Sequence, residues 1–159
     1  MGAGRHAVAL RPGRTQRVAP AAQAAFGGGG LISCTADYHR FARMLLRGGE
    51  LDGVRLLKPE TVAAMHANHL PGGGDLASLS SSMFSEADYA GVGFGLGFAT
   101  DLRTQEYYWG GVFSTFFFID PVERLIGIFM TQHFPSSIHP VRRELRQGVR
   151  HAVIESRAD

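Results

Sequence analysis

Tyr107-Tyr108-Trp109-Gly110-Gly111-Val112-Phe113-Ser114-Thr115-Phe116-Phe117-Phe118-Ile119-Asp120-Pro121 joins a bare glycine pair to an aromatic run that strongly favours strand. The run predicts one long strand over residues 107–119. Asp120-Pro121-Val122-Glu123 then turns the chain into a further strand over residues 124–131. Connections this short join antiparallel neighbours, so the expected arrangement is a meander. Two glycines inside a strand cost backbone entropy and supply no packing, so Trp109-Gly110-Gly111 needs a cause. A functional cause is that a substrate lies along the bared strand while an exposed amide, that of Val112, donates to an oxyanion. A structural cause is a bulge or a close helix–sheet contact. The pattern leaves both open.

Working upstream, Gly91-Val92-Gly93-Phe94-Gly95-Leu96-Gly97-Phe98 alternates glycine with bulky apolar residues. A strand here puts every large side chain on one face and leaves the other bare, ready for close packing. These glycines do not read as a phosphate-binding loop, because no helix pattern follows them to hold the anion. Between residues 70 and 89 the chain is rich in Gly and Ser, as a long surface loop beside a site would be.

Two helices precede that loop. Tyr38, Phe41, Ala42, Leu45 and Leu46 recur at helical spacing, with Thr35 as N-cap, Asp37 at the positive end of the dipole, and Gly48-Gly49 as the stop. Leu51-Asp52-Gly53-Val54 predicts a tight turn between short extended pieces, and Pro59 opens a structural helix carrying Val62 and Met65. At the far end Pro140 opens a closing helix with an apolar stripe of Val141, Leu145, Val149, Ala152 and Val153. Its arginines are expected to form a solvated face. Residues 1–26 show no period and read as an irregular arm, and the body runs over residues 27–159 after Gly27-Gly28-Gly29-Gly30.

Composition sets outer bounds. The 159 residues suffice for one domain, and 45% hydrophobic content is ordinary for a globular chain. A net charge of +2, with arginines interspersed among acids, gives no nucleic-acid signature. No run approaches the roughly 20 apolar residues of a membrane span. No secretory apolar core is present, so a cytoplasmic location is the default expectation. The lone Cys34 excludes an internal disulfide framework and reads as a small buried hydrophobe.

Three constellations bear on chemistry. His66 and His69 stand three apart at a helix end, but no acidic or cysteine partner recurs at ligand spacing, so neither a metal nor a cofactor is expected. Ser114, His133 and Asp120 contain the residue types of a hydrolytic triad. No Gly-x-Ser-x-Gly elbow surrounds Ser114, and Asp120 is explained as a turn residue. Ser-x-x-Lys is absent: the single lysine, Lys58, has Arg55 three residues before it.

Taken together, Gly27-Gly28-Gly29-Gly30-Leu31-Ile32-Ser33, the segment from Asp37 to Gly49, Leu56-Leu57-Lys58-Pro59-Glu60-Thr61-Val62, Gly93-Phe94-Gly95-Leu96-Gly97-Phe98 and Trp109-Gly110-Gly111 resemble the C-terminal part of the serine β-lactamase-related hydrolases. Within that group the chain is most similar to class C β-lactamase-like, family VIII-type esterases. The resemblance implies an α/β (α+β) fold of the β-lactamase/transpeptidase type, an antiparallel sheet flanked by helices. It also implies acyl-serine chemistry with a Ser-x-x-Lys nucleophile and a Tyr-x-Asn base in the parent. Trp109, Gly110 and Gly111 fall on the family's third motif, and the Val112 amide on one oxyanion donor. The first two motifs are missing, since the single asparagine, Asn68, has His66 two residues before it. The expectation is therefore a hydrolase segment that is inactive alone, acting on a small ester or β-lactam once joined to a missing N-terminal half. The alternative is a non-catalytic module on the same fold that keeps the cleft strand for a ligand or a partner chain, with an open sheet edge able to pair with a separate N-terminal half; the bare faces of the glycine-rich strand and the aromatic run make self-association a further expectation.

Overall fold

The computed structural model describes residues 32–79, 89–136 and 138–154. The expected arm at 1–26, the run from Gly27 to Gly30 and residues 80–88 of the expected loop lie outside the described residues. The helical period produces α1 (Thr35–Leu46), with Thr35 as its first residue rather than its cap, and it buries Ala42, Met44 and Leu45. Its end is a Schellman motif: Gly49 N–H donates to Met44 O at 2.8 Å and Gly48 N–H to Leu45 O at 2.9 Å. Cys34, just before α1, is exposed, so the expectation of a buried thiol is corrected.

A two-residue hairpin follows, β1 (Glu50–Leu51) and β2 (Val54–Arg55). Asp52 at φ 52° and Gly53 at φ 81° form the mirror-image turn that matches strand twist. Then comes α2 (Pro59–His66), with Pro59 in its first turn and Val62 buried. The segment beyond α2 is held by Asn68, whose Oδ1 accepts from Leu70 N and Phe94 N, each at 3.1 Å, and whose Nδ2 donates to Gly74 O at 2.8 Å. A 3-10 turn over Pro71–Gly73 leads to the single-turn helix α3 (Leu76–Leu79), so the expected loop carries some structure of its own.

The five-stranded antiparallel meander runs in the order β3 (Val92–Phe94), β4 (Ala99–Asp101), β5 (Tyr107–Gly110), β6 (Phe116–Asp120), β7 (Leu125–Phe129). Both long strands expected from sequence fold back as hairpins. Residues 91–98 reverse at Gly95–Phe98, closed by Gly95 N–H to Phe98 O at 2.8 Å. Residues 107–119 reverse between Gly110 and Phe116, which face each other across the sheet. The bare glycine face is filled: a Cβ on Gly93 would lie 2.6 Å from Asn68, and one on Gly95 2.2 Å from Met65 O. The end of α2 and the segment after it therefore supply the close packing that alternating glycine called for.

Strand alternation divides the sheet. Tyr107, Phe117 and Ile119 pack with Phe98 against α1 and α2, in a cluster with Ala42, Leu45 and Val62. Tyr108, Gly110, Phe116 and Phe118 face the other way, toward the closing helix α4 (Val141–His151). Each fully buried aromatic or aliphatic side chain contributes about 1.5–3 kcal/mol. The α4 helix has no fully buried residue. It is instead held through Arg142, Arg146 and Arg150, spaced four apart on one face, and the expectation that its arginines form a solvated face is corrected for these three.

Candidate functional site

β5 and its turn build the site. The ladder to β4 pairs Tyr108 with Ala99 and Tyr107 with Thr100 and stops there, whereas the ladder to β6 continues to Gly110. Beyond Gly110 the turn is a three-residue loop, Val112-Phe113-Ser114. It is closed by Gly111 N–H to Thr115 O at 2.8 Å and Ser114 N–H to Gly111 O at 3.1 Å. Ser114 takes the left-handed position at φ 66°, where glycine is usual. Its hydroxyl donates to His133 O at 2.9 Å and ties the turn to the segment after β7. Val112 is 60% exposed, and among the described residues its amide N–H has no hydrogen-bond acceptor.

The two glycines each meet protein atoms. A Cβ on Gly110 would lie 2.6 Å from the Arg142 guanidinium carbon, and one on Gly111 2.2 Å from Thr115 Oγ1. A close helix–sheet contact thus accounts for Gly110, and the turn's own packing accounts for Gly111. Arg142 Nη2 also donates to Gly111 O at 2.6 Å, joining the N-terminal turn of α4 to the glycine pair. Trp109 points to the opposite face, where its ring meets Phe94 edge-on at 5.1 Å.

Behind the strand is a buried ionic group. Glu106, fully buried before β5, receives Arg146 Nε at 2.6 Å and Arg150 Nη2 at 3.1 Å, and Arg146 Nη2 lies 3.7 Å from Asp101. The Arg146 Nε contact is an ion pair whose N–H is not aimed at the oxygen, while Arg150 makes a true hydrogen bond. The Arg146 guanidinium also stands 4.4 Å over the Tyr108 ring. Burial raises the Tyr108 phenol and Arg146 partly opposes it. Burial also raises Tyr89, with Arg142 opposing. Both phenols stay protonated at neutral pH and neither is poised as a base.

The other candidates disperse. Asp120 Oδ1 accepts Val122 N–H at 3.0 Å and Glu123 N–H at 2.9 Å, capping the turn at the far end of β6, a strand that spans roughly 15 Å. Ser114 addresses the His133 carbonyl rather than its imidazole, so Ser114, His133 and Asp120 are not a triad. The His66 ring stacks on Tyr107 at 4.5 Å, and His69 Nε2 lies 2.8 Å from Ala64 O. Among the described residues no group of three or more His, Cys, Asp or Glu is placed to hold a metal ion, and no helix is long and apolar enough to cross a membrane. Lys58 is exposed at the start of α2. Sequence reasoning missed Arg142, whose signal was its fourfold spacing with Arg146 and Arg150.

A family model described as Beta-lactamase matches residues 2–150, taking in most of the segment first read as an arm. Two curated proteins of Mycobacterium tuberculosis are similar: "Uncharacterized protein MT1414" of strain CDC 1551 / Oshkosh and "Protein Rv1367c" of strain ATCC 25618 / H37Rv. Each is 36% identical over 120 residues, covering 68% of this chain and 29% of the relative. The chain therefore spans less than a third of the length of these curated relatives. With the mixed α/β architecture and antiparallel sheet described above, the match over nearly its whole length makes the chain a member of the Beta-lactamase family of serine hydrolases.

Proposed function

We propose that this chain supplies the substrate-side wall of an acyl-serine hydrolase, acting on esters or on amides such as β-lactams, with Trp109-Gly110-Gly111 favouring esters. The observation that carries this is the Val112 amide: it belongs to a residue that is 60% exposed, has no acceptor among the described residues, and comes directly after Trp109-Gly110-Gly111. In the reaction a serine hydroxyl attacks the substrate carbonyl carbon and gives its proton to a base. The carbonyl electron pair moves onto oxygen, and the Val112 N–H stabilises that charge. Collapse expels the alcohol or amine with a proton, and water then hydrolyses the acyl-serine.

Neither Ser-x-x-Lys nor Tyr-x-Asn occurs in these 159 residues, so the nucleophile and base come from polypeptide outside this sequence. An oxyanion donor alone is worth on the order of 10²–10³ in rate, and loss of a nucleophile–base unit forfeits roughly 10⁶. The purified chain is accordingly expected to give no product burst with a chromogenic ester or a cephalosporin, and no labelling by a fluorophosphonate. Stoichiometric labelling at any serine, Ser114 included, overturns the proposal.

A further inference from the structure

We infer that Arg142 is a positioning residue that fixes the plane of the Gly111–Val112 peptide and so aims the Val112 N–H; this rests on the oxyanion role proposed above. Gly111 O and Val112 N–H belong to one planar trans unit, and they point in opposite directions. Holding the oxygen therefore sets the direction of the N–H. Two donors hold it: Arg142 Nη2 at 2.6 Å and Ser114 N–H at 3.1 Å. Together they occupy both lone pairs of the carbonyl. The Arg142 contact is charge-assisted and draws electron density toward the oxygen, which strengthens the N–H on the other side as a donor. The amide is left facing away from α4 with its donor capacity unspent.

The surroundings are shaped for this guanidinium. Gly110 lacks the Cβ that would stand 2.6 Å from Arg142 Cζ, 2.8 Å from Nε and 3.0 Å from Nη1. One and two helical turns further on, Arg146 and Arg150 fasten α4 to buried Glu106, so the helix start that carries Arg142 cannot drift along the strand. A donor that must meet a developing charge works best when its orientation is set beforehand by a second layer of contacts.

The test uses isotope-labelled full chain and the backbone resonances of Gly111 and Val112. Replacing Arg142→Met is expected to move the Gly111 carbonyl ¹³C and Val112 amide ¹⁵N signals, with Arg142→Lys restoring part of the shift. Gly110→Ala is expected to move the same two signals by displacing the guanidinium. The double variant should add nothing to Arg142→Met, because both changes remove one contact. Arg146→Met loosens the helix but keeps the guanidinium that donates to Gly111, and it should move the Gly111 carbonyl signal less than Arg142→Met does; an equal or larger shift overturns the inference. An unmoved Gly111 carbonyl in Arg142→Met, or full additivity with Gly110→Ala, overturns the inference. Should Arg142→Met not fold, Arg142→Lys and Gly110→Ala decide the matter, and unmoved signals in both overturn it. Titration with acetate separates the two ideas. If acetate leaves the Val112 amide unmoved while Arg142→Met shifts the Gly111 carbonyl, the positioning role stands and the oxyanion role falls.

Discussion

Replacing Glu106→Gln removes one negative charge from the interior while keeping the side chain's shape. Glu106 is fully buried and holds Arg146 and Arg150. Stripping one partner from a buried ion pair costs about 3–5 kcal/mol when the other charge is left uncompensated. Here the cost is smaller. Arg146 retains Asp101 at 3.7 Å, and Arg150, with 40% of its side chain exposed, turns back to water. An expected loss of about 2–3 kcal/mol follows, out of a total near 5–15 kcal/mol for a domain of this kind. That corresponds to a fall in Tm of roughly 4–12 °C. Urea unfolding followed by far-UV dichroism and by the fluorescence of the single tryptophan, Trp109, reads the change directly. Arg146→Met should cost about as much or somewhat more, and the double variant should lose at least ~1 kcal/mol less than the sum of the singles. A Glu106→Gln chain within ~0.5 kcal/mol of the parent, together with strict additivity, would refute the idea that this ionic group fastens α4 to the sheet.

Gly49 lies at φ 92°, and a Cβ there would be 2.3 Å from Leu57 O, so Gly49→Ala should destabilise by at least ~2 kcal/mol in the same urea assay. Gly127→Ala drives a methyl into the Phe118 ring, 2.0 Å from Cε1, and should cost about 1–3 kcal/mol by overpacking. Burial lowers the His66 pKa below its ordinary 6.5, so between pH 6.5 and the lower folded value the unfolded chain binds more protons and stability falls as pH falls. His66→Phe keeps the stack on Tyr107 and should flatten that part of the stability profile; an unchanged slope counts against it. Hydrogen bonds from the Gly91 and Ser78 amides lower Asp75 below 3.8, so its contribution is complete above that value and is lost as pH falls through the folded pKa. Asp75→Asn should weaken the acid end of the profile.

Much of the frame was legible because period and punctuation agree. The helical recurrence from Tyr38 to Leu46, the Gly48-Gly49 stop, the Asp52-Gly53 turn and Pro59 each state a local preference that tertiary packing does not oppose. The two hairpins were hidden for opposite reasons. Glycine at every second position fits a single strand as well as it fits a bend at Gly95. In the aromatic run no Gly, Asn or Asp marks the left-handed position, because Ser114 occupies it and secures itself through a hydroxyl contact with a carbonyl 19 residues away. The arginine stripe of α4 was misread for a similar reason. Its acidic partner Glu106 lies 44 residues before Arg150, beyond the reach of any local pattern. An i, i+4, i+8 row of one charge was in view, but nothing local marked it as facing inward.

The glycine pair shows how a structural and a functional cause coexist at one place. Gly110 is bare to admit Arg142, and Gly111 is bare because Thr115 fills the space its side chain would need. Neither absence is explained by a substrate. What those contacts leave is a peptide unit whose carbonyl, Gly111 O, is held by Arg142 and whose N–H belongs to the exposed Val112, the donor proposed above. The polar contacts that orient this donor lie on the α4 side, so substituting Arg142 disturbs the donor's orientation before it disturbs the apolar cluster of Phe98, Tyr107, Phe117 and Ile119 on the other face. Because Arg142 also helps to hold α4, a loss of stability alone does not report on the donor, and a spectroscopic readout at Gly111 and Val112 is what separates its positioning role from packing.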